Sequence, residues 1–579
     1  MSRSAYDPNE PLTQLEAAKN QFHSGQAAVI MKLLTRLSKL DFADARQVIR
    51  FHEVLLFLRA FPHTLSLVDP VETLLDNFHL RIEKLRAEKS DMSLFDEFDT
   101  SGIVGTTMQD ILSFDGARWL ARRIPGNVEI AWDDYWEDYD AERARGNTWT
   151  RFIPLLEEDA DIEANIPWRS WLDAARGRQN ALPWLLQRFE QLPLSARQQA
   201  ELYESLRLPI RWKLENLKIS RTRNWSRPRR FYFHEKLFRR SEISLDRELD
   251  LPAPKLEKLS MASGELAIRA LRDSMFVRYR DLYGATLGDP RSVVRAEFGR
   301  GVVMHLWGIP PDRRLPLRAY VCGFTLKNGV AINYFEAAGL GEWIEVGFNT
   351  FYTYRQGETA WLYAQALRCL RAVTGATVIS IYPYQIGDDN DEAIDSGAFW
   401  FYRKLGFRSG RPDLQKVCER EEERIAANSK YRTPPRTLKR LAQAPMFYEI
   451  GKPASAASDD WNTFSTRKLG LLVNQSMARK FDGDCEKLRR ASRATVVRTL
   501  KIKPSRWTPI QKQSLESWSM ILALIPDLAR WTPAEKTQMA KIILAKSGLN
   551  EMFYLRLTQR HARLRESLLR MGSVVKSPS

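Results

Sequence analysis

The feature that most constrains this chain is a change of hydrophobic period midway along it. After GDPRS at Gly288–Ser292, helix spacing gives way to short apolar runs punctuated by turn residues. These predict strands over 302–309, 318–326, 330–337 and 343–354. Pro310 and Pro311 break the first pair, and Asn328-Gly329 has the composition of a two-residue hairpin turn with positive backbone angles. Gly339 and Gly341 open the next connection. The pattern then alternates: a helix over 358–373, a β-branched run over 376–384 and a second helix over 392–405. An antiparallel meander followed by helix and strand in alternation implies a layered α/β fold.

The flanks read differently. Apolar residues from Gln26 to about Ala87 recur every three or four positions, which predicts amphipathic helices and a helical N-terminal domain over 1–205. Its acidic runs, at Asp133, Asp134, Glu137, Asp138 and Asp140 and again over 157–163, lack the glycine-marked loop of a cation site and read as a solvated face. Residues 206–259 form a connector, and between Arg211 and Arg240 it holds 11 Lys or Arg interleaved with six Trp, Phe and Tyr residues. That composition suits RNA or another polyanion, or a segment whose aromatic rings dock on a neighbouring domain. Helix spacing returns over 260–283, and the α/β region closes near 450 with MFYEI as a late strand. GKPASAASDD over 451–460 reads as a linker, and 461–573 as a helical C-terminal domain. There RWTPIQ and RWTPAE each place Thr, Pro and Gln or Glu as N-cap, first-turn residue and capping-box partner. The expected fold class is thus α+β and multidomain, with a central α/β domain between two helical ones.

Composition narrows the chemistry. The net charge of +17 makes a polyanionic partner reasonable without choosing one. The four cysteines, Cys322, Cys369, Cys418 and Cys485, form no CxxC pair, and the histidines show no ligand spacing, so no metal site is expected. A polar N-terminus and the lack of a membrane-length apolar run predict a cytoplasmic protein.

The candidate site lies in two motifs. YRQGETA at 354–360 places a glycine turn before a helix, where free backbone N–H groups and the positive end of the helix dipole favour phosphate. Arg355 adds charge, Gly357 allows close approach of the backbone, and Thr359 can cap the helix. Farther on, SGAFWFYRKLGF at Ser396–Phe407 sets Asp395, Ala398, Tyr402, Gly406 and Phe407 at fixed spacings. The order of glycine turn, helix, buried strand and this closing helix, over about 295–410, resembles the acyl-coenzyme A half of the GNAT N-acetyltransferase superfamily. Tyr354 and Thr359 depart from that family's Gln or Arg and its Gly or Ala, and Asp395 stands where Asn is common. One strand more than the family core is expected, with a charged helical stretch in place of the final hairpin.

The resemblance implies an acyltransferase moving an acetyl or other acyl group from acyl-coenzyme A, acetyl-CoA for instance, to an amine. It implies contacts to the cofactor from Arg355, Gln356, Gly357, Glu358, Thr359, Ala360 and Ala398, and a Tyr402 that protonates the leaving thiolate. For the base, Glu345, Glu336 and Glu342 are the carboxylates near the expected place. Glu345 is the first choice because alternation sets it on the face of Asn349 and Phe351. An acidic loop at Asp388, Asp389, Asp391 and Glu392 reads as solvated, or as an attractor for a cationic amine. Two other readings stand beside the enzyme: a GNAT-like module that binds partners or nucleic acid without catalysis, and a transferase of related fold that takes its acyl group from a charged RNA.

Overall fold

The computed structural model describes residues 8–135, 148–152, 168–215, 218–452 and 460–573, and these form a mixed α+β protein. Its centre is a nine-stranded sheet in the order β11-β12-β10-β9-β8-β7-β6-β5-β4. The strands are β4 (Glu257–Lys258), β5 (Val294–Glu297), β6 (Val302–Trp307), β7 (Ala319–Lys327), β8 (Val330–Leu340), β9 (Trp343–Thr350), β10 (Val378–Ile381), β11 (Arg408–Ser409) and β12 (Met446–Glu449). Neighbours are antiparallel except β9 and β10, which run parallel and are joined by the helix Thr359–Thr374. A parallel pair needs such a crossover, and the Gly375 C-cap, at φ 73°, ends this one.

The meander follows the expected turns. Asn328 and Gly329 adopt φ 45° and 81°, as a two-residue hairpin turn requires. The Asn328 amide also donates to the Ala60 and Tyr232 carbonyls at 2.9 and 3.1 Å, tying the hairpin to the N-terminal helices and the connector. Register places Cys322, Glu336 and Gly347 side by side across β7, β8 and β9, on one face.

Three expectations are corrected. The helix expected over 392–405 is two short ones, Asp391–Asp395 and Ala398–Arg403, because Gly397 between them takes φ 71°. The charged stretch after Gly410 does not replace the final hairpin. Its helices, Pro412–Ala427 and Pro435–Leu441, are inserted between β11 and β12, which still pair antiparallel. The region expected to be helical over 1–205 also contributes to a second, three-stranded sheet with its own core. There β1 (Thr107–Ile111) and β2 (Val128–Ile130) flank β3 (Pro209–Lys213), which comes from the expected connector.

Part of the connector's charge is taken up by docking, while Arg229, Arg230 and Arg239 are exposed and make no ion pair among the described residues. Arg221 pairs with buried Glu53 at 3.1 Å, Arg223 with Asp76 at 2.6 Å and Arg227 with Asp69 at 2.9 Å. The Trp225 indole donates to the Asn328 carbonyl, and Phe238 packs on Trp361. Asp133 and Asp134 are taken up by Arg211 at 3.1 and 3.3 Å. The remaining acidic residues named above, from Glu137 to Asp140 and over 157–163, lie outside the described residues, as does most of the expected linker. Beyond it the chain is helical to Gly572, and Arg314, Lys546 and Glu551 bind these helices to the start of β7. Both expected capping boxes form, at Thr508 with Gln511 and at Thr532 with Glu535. No helix among the described residues is long and apolar enough to cross a membrane.

Candidate active site

The β9–β10 ladder is short. It pairs Trp343 with Val378, Ile344 with Ile379 and Glu345 with Ser380, and goes no further. β10 ends at Ile381 whereas β9 continues to Thr350, so the last residues of β9 keep β8 on one side and have no strand on the other. Backbone groups facing that gap are available to a ligand. The gap opens into a cleft of about 450 Å³.

The cleft gathers residues from both motifs and from β8. Glu336, Tyr402, Arg355, Gly357, Thr359, Ala360 and Ala398 all line it. Ala360 and Ala398 present only methyl groups at the start of the crossover helix and of the closing helix. Tyr402 is buried, packed edge-on to Tyr363 and Phe407 with ring centroids 5.5 and 5.7 Å apart. Burial raises its phenol well above the usual range, so it holds its proton, and the same shift makes it a weaker acid. Its hydroxyl has no hydrogen-bond partner among the described residues.

Glu336 is the carboxylate the cleft selects. It accepts a hydrogen bond from the Tyr320 hydroxyl, and burial raises its pKa above the ordinary value in spite of that bond. A carboxylate so shifted is a stronger base. Glu345 shares its face of the sheet but belongs to the last β9–β10 pair, outside the cleft lining, and forms an ion pair with Arg318 at 3.1 Å. Glu342 lies at the opposite end of β9, held by Trp461 and Arg565 at 2.7 and 2.6 Å.

The glycine turn is built for reasons that differ from those expected. Gly357 does not take a positive φ, and a Cβ there would lie 2.7 Å from the Phe61 ring, so close packing of an N-terminal helix demands the glycine. Arg355 is paired at 2.5 Å with Glu392, which lies not in a loop, as expected, but in the first turn of the helix Asp391–Asp395. Glu358 turns away from the cleft: its buried carboxylate accepts from Arg300 and from the Phe238 backbone N–H at 3.1 Å, with Lys327 at 3.8 Å. Gln356 faces an adjoining hollow of about 890 Å³, lined also by Lys236, Arg239 and Arg240.

Sequence reasoning gives no role in the site to several lining residues, among them Arg240, Arg280 and Tyr334. Arg280 donates to the Tyr334 hydroxyl at 2.6 Å and lies over the Phe98 ring. Neither Arg240 nor Arg280 makes an ion pair among the described residues. Alternation along β8 would have put Tyr334 beside Glu336, but no motif marks the two arginines. No cluster of potential metal ligands occurs among the described residues. Compared with protein-family models, curated proteins and solved structures, the chain matches none.

Proposed function

We propose that the central domain is a GNAT-like N-acyltransferase that uses acyl-coenzyme A and an amine. The observation that carries this reading is the early end of the β9–β10 ladder, which opens a cleft where Tyr402, Glu336 and the first turn of the Thr359–Thr374 helix converge. The residues fit such a donor. The cleft and the hollow beside Gly357 share Phe238, Arg240 and Gly357 in their linings. Arg240 and Arg280 supply cationic groups, and the helix start supplies backbone N–H groups to phosphate. The small side chains of Ala360 and Ala398 leave room for a narrow arm between the two helices.

When bound, an acyl-coenzyme A supplies the acyl group activated as a thioester. Glu336 takes the proton from the attacking amine as the C–N bond forms. Tyr402 gives its proton to the sulfur as the C–S bond breaks. N–H groups along the unpaired side of β9, near Gly347 and Phe348, stabilise negative charge on the carbonyl oxygen.

The test has two parts. Saturating acetyl-CoA or a longer acyl-CoA should raise the melting temperature of the full chain by mass action. Release of free thiol in the presence of a panel of primary amines should then follow, and should fall in Tyr402→Phe. No thermal shift with any acyl-CoA would overturn the reading.

A further inference from the structure

With Arg211, Arg221, Arg223 and Arg227 spent on internal ion pairs, most of the chain's positive charge is found elsewhere. Residues 466–512 hold thirteen Lys or Arg against three Asp or Glu, a net +10 of the chain's +17. They form a hairpin of two helices, Thr466–Phe481 and Cys485–Leu500, leading into the helix Pro509–Leu522. Asp484 and Glu486 are occupied by Lys487 and Arg489 at 3.3 and 2.7 Å. Arg490, Arg493, Arg498, Lys501, Lys503 and Arg506 are exposed and make no ion pair among the described residues.

The second helix arranges this charge. Lys487, Arg490, Ala494 and Arg498 follow one another at intervals of three and four and fall within about 80° of its circumference, and Lys501 is the left-handed residue that ends the helix. The midpoint of this stripe is the methyl group of Ala494, and Arg493 lies about 60° outside its edge, on the flank toward Leu500, where it is still exposed. The opposite side is committed to the core through Leu488, Val496 and Leu500.

We propose that the Cys485–Leu500 helix is a docking surface for double-stranded DNA, held by the phosphates that border the major groove. A helix about 10–12 Å across matches a B-form major groove about 12 Å wide, whereas the deep, narrow A-form groove of duplex RNA does not admit one. Short residues at the middle of the stripe let the backbone approach while the arginines reach outward to either strand. Single strands are disfavoured because the aromatic residues of the segment, Phe481 and Trp507, are half-buried and offer no stacking platform. An anionic membrane is disfavoured because a surface-bound helix buries an apolar face. Here that face is already packed, and Leu471 is the exposed large apolar residue of the hairpin.

Fluorescence anisotropy of the full chain with a labelled DNA duplex, between about 50 and 200 mM salt, tests this. Affinity should fall steeply with salt and be alike for unrelated sequences. R490Q/R493Q/R498Q should weaken binding about tenfold or more and reduce the log–log salt slope by about 3. R490K/R493K/R498K should restore it, with the melting temperature unchanged throughout. The proposal is overturned by no duplex binding, by tighter binding to duplex RNA or to phosphatidylserine vesicles, or by an equal loss from R227Q/R229Q/R230Q, which removes as much charge from the connector.

Discussion

Glu336 stands directly across the β8–β9 ladder from Gly347, two residues beyond the point where β9 parts from β10. A strongly desolvated carboxylate therefore borders a stretch of backbone that has lost its strand partner, with no side chain on Gly347 to separate the two. A Cβ at Gly347 would come no nearer than 3.8 Å to Gln385, so bulk at that position would fill the cleft and not the core.

Replacing Glu336 by Gln should lower turnover about 10²- to 10⁴-fold, the usual range for a general base. Since burial raises the Glu336 pKa, kcat/KM of the wild type should rise with pH through a midpoint above the ordinary Glu value of about 4.3. E336Q should lack that limb. The stability effect has the opposite direction. A carboxyl whose folded pKa is raised holds its proton more tightly in the folded chain, so it costs stability as pH climbs through the folded pKa. E336Q should thus melt no lower than wild type at neutral pH, and a large loss of melting temperature would show Glu336 to be a structural residue.

Tyr402→Phe should separate binding from chemistry. The hydroxyl makes no hydrogen bond among the described residues, while the ring packs against Tyr363 and Phe407. Removal of the oxygen should leave the melting temperature and acyl-CoA affinity nearly unchanged and reduce kcat by about 10²-fold. Equal kcat in the two proteins would remove Tyr402 from the mechanism.

Much of this arrangement is legible in the sequence where a local rule is sufficient. Asn328-Gly329 identifies its hairpin because few residue pairs accept two positive φ angles, and Thr508 and Thr532 announce helix starts because capping boxes are local. The order of β8, β9, the crossover helix and β10 follows from the change of period. Relations that depend on distant packing are not legible. Gly357 looks like a phosphate turn yet is required by Phe61, and Glu358 looks like a ligand yet faces Arg300 and Lys327. Arg280 enters the cleft from an irregular segment after the helix Met261–Phe276, where no spacing marks it. Choosing Glu336 over Glu345 needed the residue at which the ladder ends, and alternation gives only the face.

Gly329→Ala should be among the most damaging single-methyl changes in the chain. The glycine takes φ 81°, and an added Cβ would lie 1.8 Å from the Ser226 carbonyl oxygen, a backbone atom that cannot turn aside. Strain of this kind costs on the order of 1–3 kcal/mol before any clash is counted. The β7–β8 turn, the connector and the N-terminal helices meet there, so loss of cooperativity in the melt should accompany the shift. Gly126→Ala, with φ 83° but nothing within 4 Å, serves as the comparison and should cost markedly less.

Beneath the glycine turn, Lys327 makes stability depend on pH. Its ammonium is fully buried, 2.6 Å from His234 Nε2 and 3.8 Å from the Glu358 carboxylate, and burial lowers its pKa to about 7. An unfolded lysine titrates near 10.4, so between about pH 7 and about 10.4 the unfolded chain holds a proton that the folded chain has released. Stability therefore rises with pH across that window, and the cost of burying the charge is fully present below it. His234, lowered by its own burial and by Lys327 to about 2, acts in the same direction between about pH 2 and about 6.5. Lys327→Met should remove the upper window: its advantage over wild type should be greatest at pH 6 to 7 and shrink toward pH 10. Glu358→Gln leaves Lys327 and Arg300 without their buried carboxylate and should cost about 3–5 kcal/mol. Parallel melting curves for wild type and K327M across this range would show that the Lys327 ammonium keeps an ordinary affinity for its proton.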